Sequence, residues 1–247
     1  MNTNPQTLVV SMPIYNAKKT LEAAVESVLN QQYKNIKLIM TDDFSEDGSL
    51  EIAKQYLKDP RVVLLSNSEN RGAYYCRNAG LSYMSNKTWG YFTTHDSDDI
   101  SFNHRYKSLI KQIKKTNTVA IQDGFRRIDY FTGDFIKQNI TVAHAVFKKE
   151  VFDKIGYFEP VRCGADWEYW KRLEAFCKNT SWEVLATSEI MGESFIHGAN
   201  ITAIIPEGSK ERVLYMKQSR RRIQSRLVNK NPYQSFNLEK ITQEVRS

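Results

Sequence analysis

The chain has 247 residues, and its 41% hydrophobic and 12% aromatic content is typical of a globular rather than a disordered protein. No apolar run approaches the ~20 residues that span a bilayer, and residues 1–7 lack the basic and apolar regions of a signal peptide. The net charge of +7 is concentrated in residues 206–247, which hold ten Lys/Arg and four Asp/Glu, so the charge says little about an active site in the preceding residues.

Four apolar runs of strand length alternate with helical patterns over the first hundred residues. Continuous apolar runs are typical of parallel strands that are covered on both faces. The alternation predicts a right-handed parallel α/β sheet. The strands are predicted at 8–12, 36–40, 62–65 and 91–94, and the helices at 18–29, 50–57 and 73–84.

Each of these predicted strands is followed by a polar cluster. Ligands of parallel α/β sheets bind at the carboxyl ends of the strands, so the clusters predict a site at that edge. The fourth strand runs into Asp96, Asp98 and Asp99, whose mutual repulsion a divalent cation such as Mg²⁺ or Mn²⁺ would relieve. Taken alone, the same residues also fit a solvated acidic turn. The other clusters are 15–16, 42–43 and 70–71.

The second half of the chain predicts a mixture of strands and helices. We expect helices at 103–115, 148–155 and 166–176, a strand at 119–121, a hairpin over 125–140, and two strands at 182–186 and 191–197. Residues 207–228 predict a cationic helix. It could pack on the domain, lie on anionic lipid or attract nucleic acid.

Six segments together resemble the GT-A glycosyltransferases of family 2 over residues 7–205. They are VVSMPIYN (9–16), SVLNQQY (27–33), DDFSEDGS (42–49), NRG with RNAG (70–80), DSDD (96–99) and GADW (164–167). The resemblance implies a GT-A, Rossmann-like α/β fold with a mostly parallel central sheet flanked by helices. We therefore expect a GT-A domain over 1–205 and a basic, helical C-terminal extension over 206–247.

The resemblance also implies which residues bind the donor, a nucleotide sugar. Asp43 is similar to the carboxylate that accepts a hydrogen bond from a pyrimidine imide N–H, which favours a UDP-sugar. Asp96 is similar to the residue that touches the ribose or the sugar. The remaining donor residues implied are Pro13, Tyr15 and Asn16 beside the base, and Arg71 near the base or phosphates.

The metal and the general base follow from the same resemblance. Asp98 is similar to the ligand of Mn²⁺ or Mg²⁺, Asp99 shares that task, and His197 falls where some members have a further ligand. Asp166 is similar to the general base, although Ala165 replaces the acidic residue that usually precedes it. His144, within an apolar segment, is expected to be buried structure, with the lining of the acceptor pocket as the alternative.

These expectations describe an inverting, metal-dependent transferase that moves a sugar to a hydroxyl of a glycan or lipid-linked acceptor. The alternatives are a sugar-phosphate nucleotidyltransferase, which usually carries a Gly-rich loop and a Lys that PIYN (13–16) lacks, and a non-catalytic basic binding module. Three cysteines without metal-ligand spacing suggest free thiols in a reducing compartment. We expect a cytoplasmic protein, peripheral at the inner face of the membrane, with no nucleic-acid partner.

Overall fold

The computed structural model describes residues 6–196, 209–228 and 243–244. These residues form a nine-stranded mixed sheet flanked by helices, with the strand order β5-β8-β6-β7-β4-β1-β2-β3-β9. The strands are β1 Leu8–Ile14, β2 Ile36–Asp42, β3 Val62–Ser66, β4 Tyr91–Thr94, β5 Asp99–Ser101, β6 Ala120–Asp129, β7 Phe135–Lys148, β8 Val184–Ile196 and β9 Gln243–Glu244. The helices are α1 Leu21–Leu29, α2 Ser49–Gln55, α3 Ala73–Tyr83, α4 Arg105–Thr116, α5 Lys149–Ile155, α6 Ala165–Cys177 and α7 Lys210–Val228.

The first four strands form the parallel part of the sheet, as the sequence predicts. β1 lies between β2 and β4 and pairs parallel with both, while β3 pairs parallel with β2. All seven residues of β1 are buried, because helices cover both faces of the strand. Helix α3 comes close to β1 at Gly80, where a Cβ would lie 2.6 Å from the Ser11 Oγ.

The later strands close the sheet mainly in antiparallel fashion. β7 pairs antiparallel with β4 and β6, and β5 pairs antiparallel with β8. β8 is one strand where the sequence predicts two, because the polar stretch at 187–189 follows β6 through a shift of register instead of leaving the sheet. Asp99 also lies in a strand, β5, that the sequence does not predict.

Helix α7 lies against α6. The Tyr215 hydroxyl and the Arg222 guanidinium both donate to Glu159 Oε2, at 2.9 and 2.7 Å. Arg220 lies over the ring of Trp167, with its guanidinium carbon 5.3 Å from the ring centroid. Among the helices that the structure describes, none combines the length and apolar character needed to cross a bilayer.

Candidate active site

The ends of β1 and β2 present two exposed aromatic rings at one edge of the sheet. Tyr15 is 53% exposed and Phe44 is 48% exposed, whereas Pro13 is buried within β1. Asn16 adopts a positive φ of 48° and binds the neighbouring turn through two hydrogen bonds, from its N–H to Ser45 Oγ and from the Glu46 N–H to its Oδ1. These bonds hold the two turns together, so both exposed rings lie at the same edge of the sheet.

Asp43 organises the loop that follows β3. Its Oδ1 accepts hydrogen bonds from Asn67 Nδ2 and from the Arg71 N–H, both at 2.8 Å, and its Oδ2 accepts one from the Gly72 N–H at 2.7 Å. The side chain is nearly fully buried. Three of the roughly four acceptor positions of a carboxylate are therefore used by this loop, and the Cys76 side chain contacts the same carboxylate.

Arg71 lies on the surface of this same loop. Its guanidinium pairs with Glu69 at 2.8 Å and donates to the Tyr75 hydroxyl at 3.2 Å. Arg162, from the segment before α6, donates to the Asn70 side chain and to the Asn70 carbonyl, the latter at 3.1 Å. The loop is thus held from the end of β2 by Asp43 and from the second half of the fold by Arg162.

The first carboxylate of the acidic segment is held by an arginine of α3. Arg77 Nη2 lies 2.6 Å from Asp96 Oδ1, and Arg77 is 4% exposed while the Asp96 side chain is 36% exposed. Burial would raise the pKa of Asp96, but the guanidinium outweighs it and keeps that pKa below its usual range. Asp96 is therefore held by a buried arginine while its own side chain stays partly exposed.

Asp99 and His144 form a buried pair behind Asp96. His144 Nε2 lies 2.6 Å from Asp99 Oδ2, and His144 Nδ1 lies 3.3 Å from the Thr94 carbonyl. Burial raises the pKa of Asp99 to about 6. For His144 burial lowers the pKa, but the hydrogen bond to Asp99 outweighs it, so the net shift is upward.

His144 is buried, as the sequence indicates, yet it also contributes to the site. One ligand atom from each of Asp96, Asp99 and His144 lies within 4.8 Å of the others. Nε2 is hydrogen-bonded to Asp99, so it would bind a cation only in the neutral imidazole whose remaining proton is on Nδ1 and is donated to the Thr94 carbonyl. No local sequence signal separates His144 from a packing residue, because its role depends on how β7 pairs with β4.

A fully buried ion pair between Arg105 and Asp123 supports the cluster of Asp96, Asp99 and His144 through the backbone of His144. Arg105 donates to both oxygens of Asp123, at 2.6 and 3.1 Å, and to the His144 carbonyl at 2.6 Å. Its guanidinium carbon also lies 5.0 Å from the centroid of the Phe125 ring, on which His144 stacks at 4.6 Å. Arg105 therefore fixes the strand position from which His144 reaches Asp99.

Asp166, the second residue of α6, reaches α3 from the second half of the fold. The Tyr74 hydroxyl of α3 donates to Asp166 Oδ1 at 2.6 Å. The residue before it, Ala165, is fully buried, so an acidic side chain there would point into the core. Gly164 precedes the helix at φ 81°, and a Cβ there would lie 3.2 Å from the Tyr215 ring of α7.

Asp98 and His197, the other two predicted metal ligands, stay predictions, because the three-residue cluster consists of Asp96, Asp99 and His144. Asp98 lies beside the cluster, between Asp96 and β5, and is half-buried. His197 lies outside the described residues, so its predicted role as a ligand stays a prediction.

His95 is buried with Nδ1 3.0 Å from the Asp96 carbonyl, and burial lowers its pKa to about 3, so its ring is neutral.

Known proteins resemble this chain in both sequence and fold. The putative glycosyltransferase EpsE of Bacillus subtilis is 39% identical over 117 residues, which cover 47% of this chain and 41% of EpsE. The UDP-Glc:alpha-D-GlcNAc-diphosphoundecaprenol beta-1,3-glucosyltransferase WfgD of Escherichia coli is 35% identical over 108 residues, or 44% of this chain and 41% of WfgD. The chain therefore spans less than half the length of these two relatives.

The fold is similar to that of TarS 1-349 of S. aureus in its complex with UDP-GlcNAc. The TM-score is 0.70 at 14% identity, over 87% of this chain and 65% of the TarS chain. This likeness confirms the predicted GT-A fold. Residues 9–174, about two thirds of the chain, match the family described as Glycosyl transferase family 2. The chain therefore belongs to glycosyl transferase family 2.

Proposed function

We propose that the protein is an inverting, metal-dependent glycosyltransferase. It would move a sugar from a UDP-sugar to a hydroxyl of a glycan or lipid-linked acceptor, in polysaccharide or surface-glycan synthesis. The observation that carries the proposal is that carboxylates from both halves of the fold approach the same helix, α3. Asp96 and Asp99 come from the end of the parallel sheet, and Asp166 from the second half of the fold, within reach of one helix, α3.

The donor would lie along the edge formed by the ends of β1, β2 and β4. Tyr15 offers an exposed ring beside the base, next to the turn of Pro13 and Asn16. Asp43 would accept a hydrogen bond from an imide N–H, which uracil provides and cytosine lacks. Guanine carries the same N–H, so the test must include GDP. Arg71, on the loop that Asp43 holds, would lie near the base or phosphates.

The residues present fit a divalent cation. Asp96, Asp99 and His144 offer two hard oxygens and an imidazole, a set that suits Mn²⁺ and, for its oxygens, Mg²⁺. Asp98 adjoins the set in sequence, and we include it, with His197, among the proposed ligands. When bound, such an ion supplies a positive charge that stabilises the departing diphosphate.

Asp166 would act as the general base. It would take the proton of the acceptor hydroxyl, whose oxygen attacks the anomeric carbon while the bond to the diphosphate breaks. One in-line displacement of this kind inverts the anomeric centre and needs no covalent intermediate. Asp166 lies in the first turn of α6.

The acceptor proposal takes support from a relative. The name of WfgD describes transfer to a diphosphoundecaprenol-linked GlcNAc, so a lipid-linked acceptor is a reasonable first choice. One side of helix α7 carries exposed basic and apolar residues, which suits contact with a membrane surface. Lys210, Val213, Leu214, Lys217 and Arg221 are exposed and recur at helical spacing.

We therefore propose that 1–205 is the catalytic domain and that 206–247 is an extension that touches anionic membrane from the cytoplasmic side. Reversing two charges, Lys217→Glu with Arg221→Glu, should abolish co-sedimentation with anionic vesicles at low salt while leaving donor hydrolysis intact. Residues Tyr215, Ser219 and Ile223, which face the domain, are left unchanged by this variant. Wild-type protein that ignores anionic vesicles would refute the membrane contact.

The central test is transfer from a panel of UDP-sugars, with GDP and CDP as competitors. We expect Mn²⁺-dependent release of UDP, lost in EDTA and in Asp98→Ala. Asp166→Asn should lower transfer by about 10²-fold or more while UDP affinity stays nearly unchanged, since loss of a general base costs 10²–10⁴-fold. Asp153→Asn, at an exposed pair with Lys149, is the matched control. A product that retains the donor's anomeric configuration, or equal transfer in EDTA, would contradict the proposal.

A further inference from the structure

We infer that Tyr74 is a positioning residue for Asp166 and that, through Arg77, it couples the base to the donor side of the site. This inference rests on the proposed function. The two residues lie three apart on α3, which places them on one face of the helix. Both are buried, whereas Asp96 and Asp166 at the two ends of the arrangement are partly exposed.

Three contacts connect the two carboxylates. The Tyr74 hydroxyl donates to Asp166 Oδ1 at 2.6 Å. The guanidinium carbon of Arg77 lies 4.8 Å from the centroid of the Tyr74 ring, which is cation–π distance. Arg77 Nη2 then lies 2.6 Å from Asp96 Oδ1. A single buried tyrosine therefore contacts both the base and the cation that holds the donor-side carboxylate.

The hydroxyl of Tyr74 is committed to donating. Burial, together with the charge of Asp166, raises the pKa of Tyr74 well above its usual value, so the phenol keeps its proton. This bond fixes the rotation of the Asp166 carboxylate and leaves Oδ2 without the tyrosine contact, so we assign the proton of the acceptor to Oδ2. The hydrogen bond thus decides which oxygen of the base points to the acceptor.

Arg77 keeps the ring in place. Its Nε is buried and has no hydrogen-bond acceptor among the described residues, so the contacts of the guanidinium with the Tyr74 ring and with Asp96 fix its orientation. A donor that moves Asp96 would therefore shift Arg77 and, through the ring, the base.

Tyr74→Phe separates this role from packing, because it removes the hydroxyl and keeps the ring over which Arg77 lies. We expect kcat for transfer to fall by about 10- to 100-fold, as misplacement of a reacting group does, with the donor KM and UDP affinity within about twofold of wild type. In an Asp166→Asn background, Tyr74→Phe should change kcat no further, because residues that act as a unit are not additive.

Tyr169→Phe is the matched control. Its hydroxyl is also buried, and donates to the Gly156 carbonyl at 2.9 Å from the same helix that carries Asp166. We expect it to lower the melting temperature and to leave kcat within about twofold of wild type. The inference would be overturned if Tyr74→Phe kept the wild-type kcat, or if Tyr169→Phe lowered kcat as much as Tyr74→Phe does. It would also be overturned if the effects of Tyr74→Phe and Asp166→Asn on kcat were fully additive. Each of these results would leave the proposed function standing. A wild-type protein that transfers no sugar would refute the proposed function and this inference with it.

Discussion

Asp123→Asn tests how much the buried ion pair beneath the site contributes to stability. Arg105 and Asp123 are both fully buried, and the guanidinium places two hydrogen bonds, of 2.6 and 3.1 Å, on the carboxylate. Burial by itself lowers the pKa of Arg105, and Asp123 more than offsets this. An amide at 123 removes the compensating charge and turns one acceptor into a donor that faces another donor.

The expected cost follows from the burial of both partners. Removing one partner of a buried pair costs about 3–5 kcal/mol, because the other charge stays in the interior. The Ser101 hydroxyl and the His144 carbonyl remain as neutral acceptors, which favours the lower end of that range. For a chain of this size, each kcal/mol shifts the melting temperature by about 2–4 °C, so we expect a decrease of about 6–20 °C.

Thermal unfolding followed by circular dichroism measures this decrease. Asp153→Asn makes the same chemical change in the exposed pair with Lys149, where the cost should stay below about 0.5 kcal/mol. If the melting temperature of Asp123→Asn, like that of Asp153→Asn, lies within about 2 °C of wild type, the charge of Asp123 does not stabilise Arg105 and the reasoning is refuted.

Three further predictions follow from single contacts. Asp43→Asn disturbs a carboxylate that accepts from three donors of the 67–72 loop, so UDP affinity measured by calorimetry should fall about tenfold or more; unchanged affinity would show that the loop does not need the charge. Gly80→Ala places a Cβ 2.6 Å from Ser11 Oγ and should lower stability to urea by about 1–3 kcal/mol, which an unchanged unfolding midpoint would contradict. Glu159→Gln weakens the acceptor of Tyr215 and Arg222, so amides of α7 should exchange faster by mass spectrometry, and equal protection of α7 would rule this out.

The parallel half of the sheet was predictable because each of its strands is apolar along its whole length. Residues buried on both faces leave a continuous signal, and the polar clusters mark where each strand ends. The approach of Asp42–Asp43, Asn70–Arg71 and the acidic segment to one edge follows from that topology alone. The local sequence pattern and the topology were therefore sufficient to predict this half of the sheet and the polar clusters at its edge.

The contacts that refine the site were not predictable, because they depend on pairing between distant segments. The sequence around His144 is apolar, and only the pairing of β7 with β4 brings its ring to Asp99. Tyr74 likewise carries no local sign of its bond to Asp166, 92 residues away. The polar stretch at 187–189 follows the usual pattern of a loop, so one long strand with an irregular register was predicted as two.

The pairing of β5 with β8 has a consequence for synthesis on the ribosome. Asp99–Ser101 finds its neighbour in Gly192–Ser194, more than 90 residues later in the chain. At translation rates of about 5–20 residues per second, the acidic segment waits roughly 5–20 s for the strand that fixes it. β1 to β4 can meanwhile pair among themselves as they emerge. The nascent protein thus completes its scaffold first and its carboxylate cluster last.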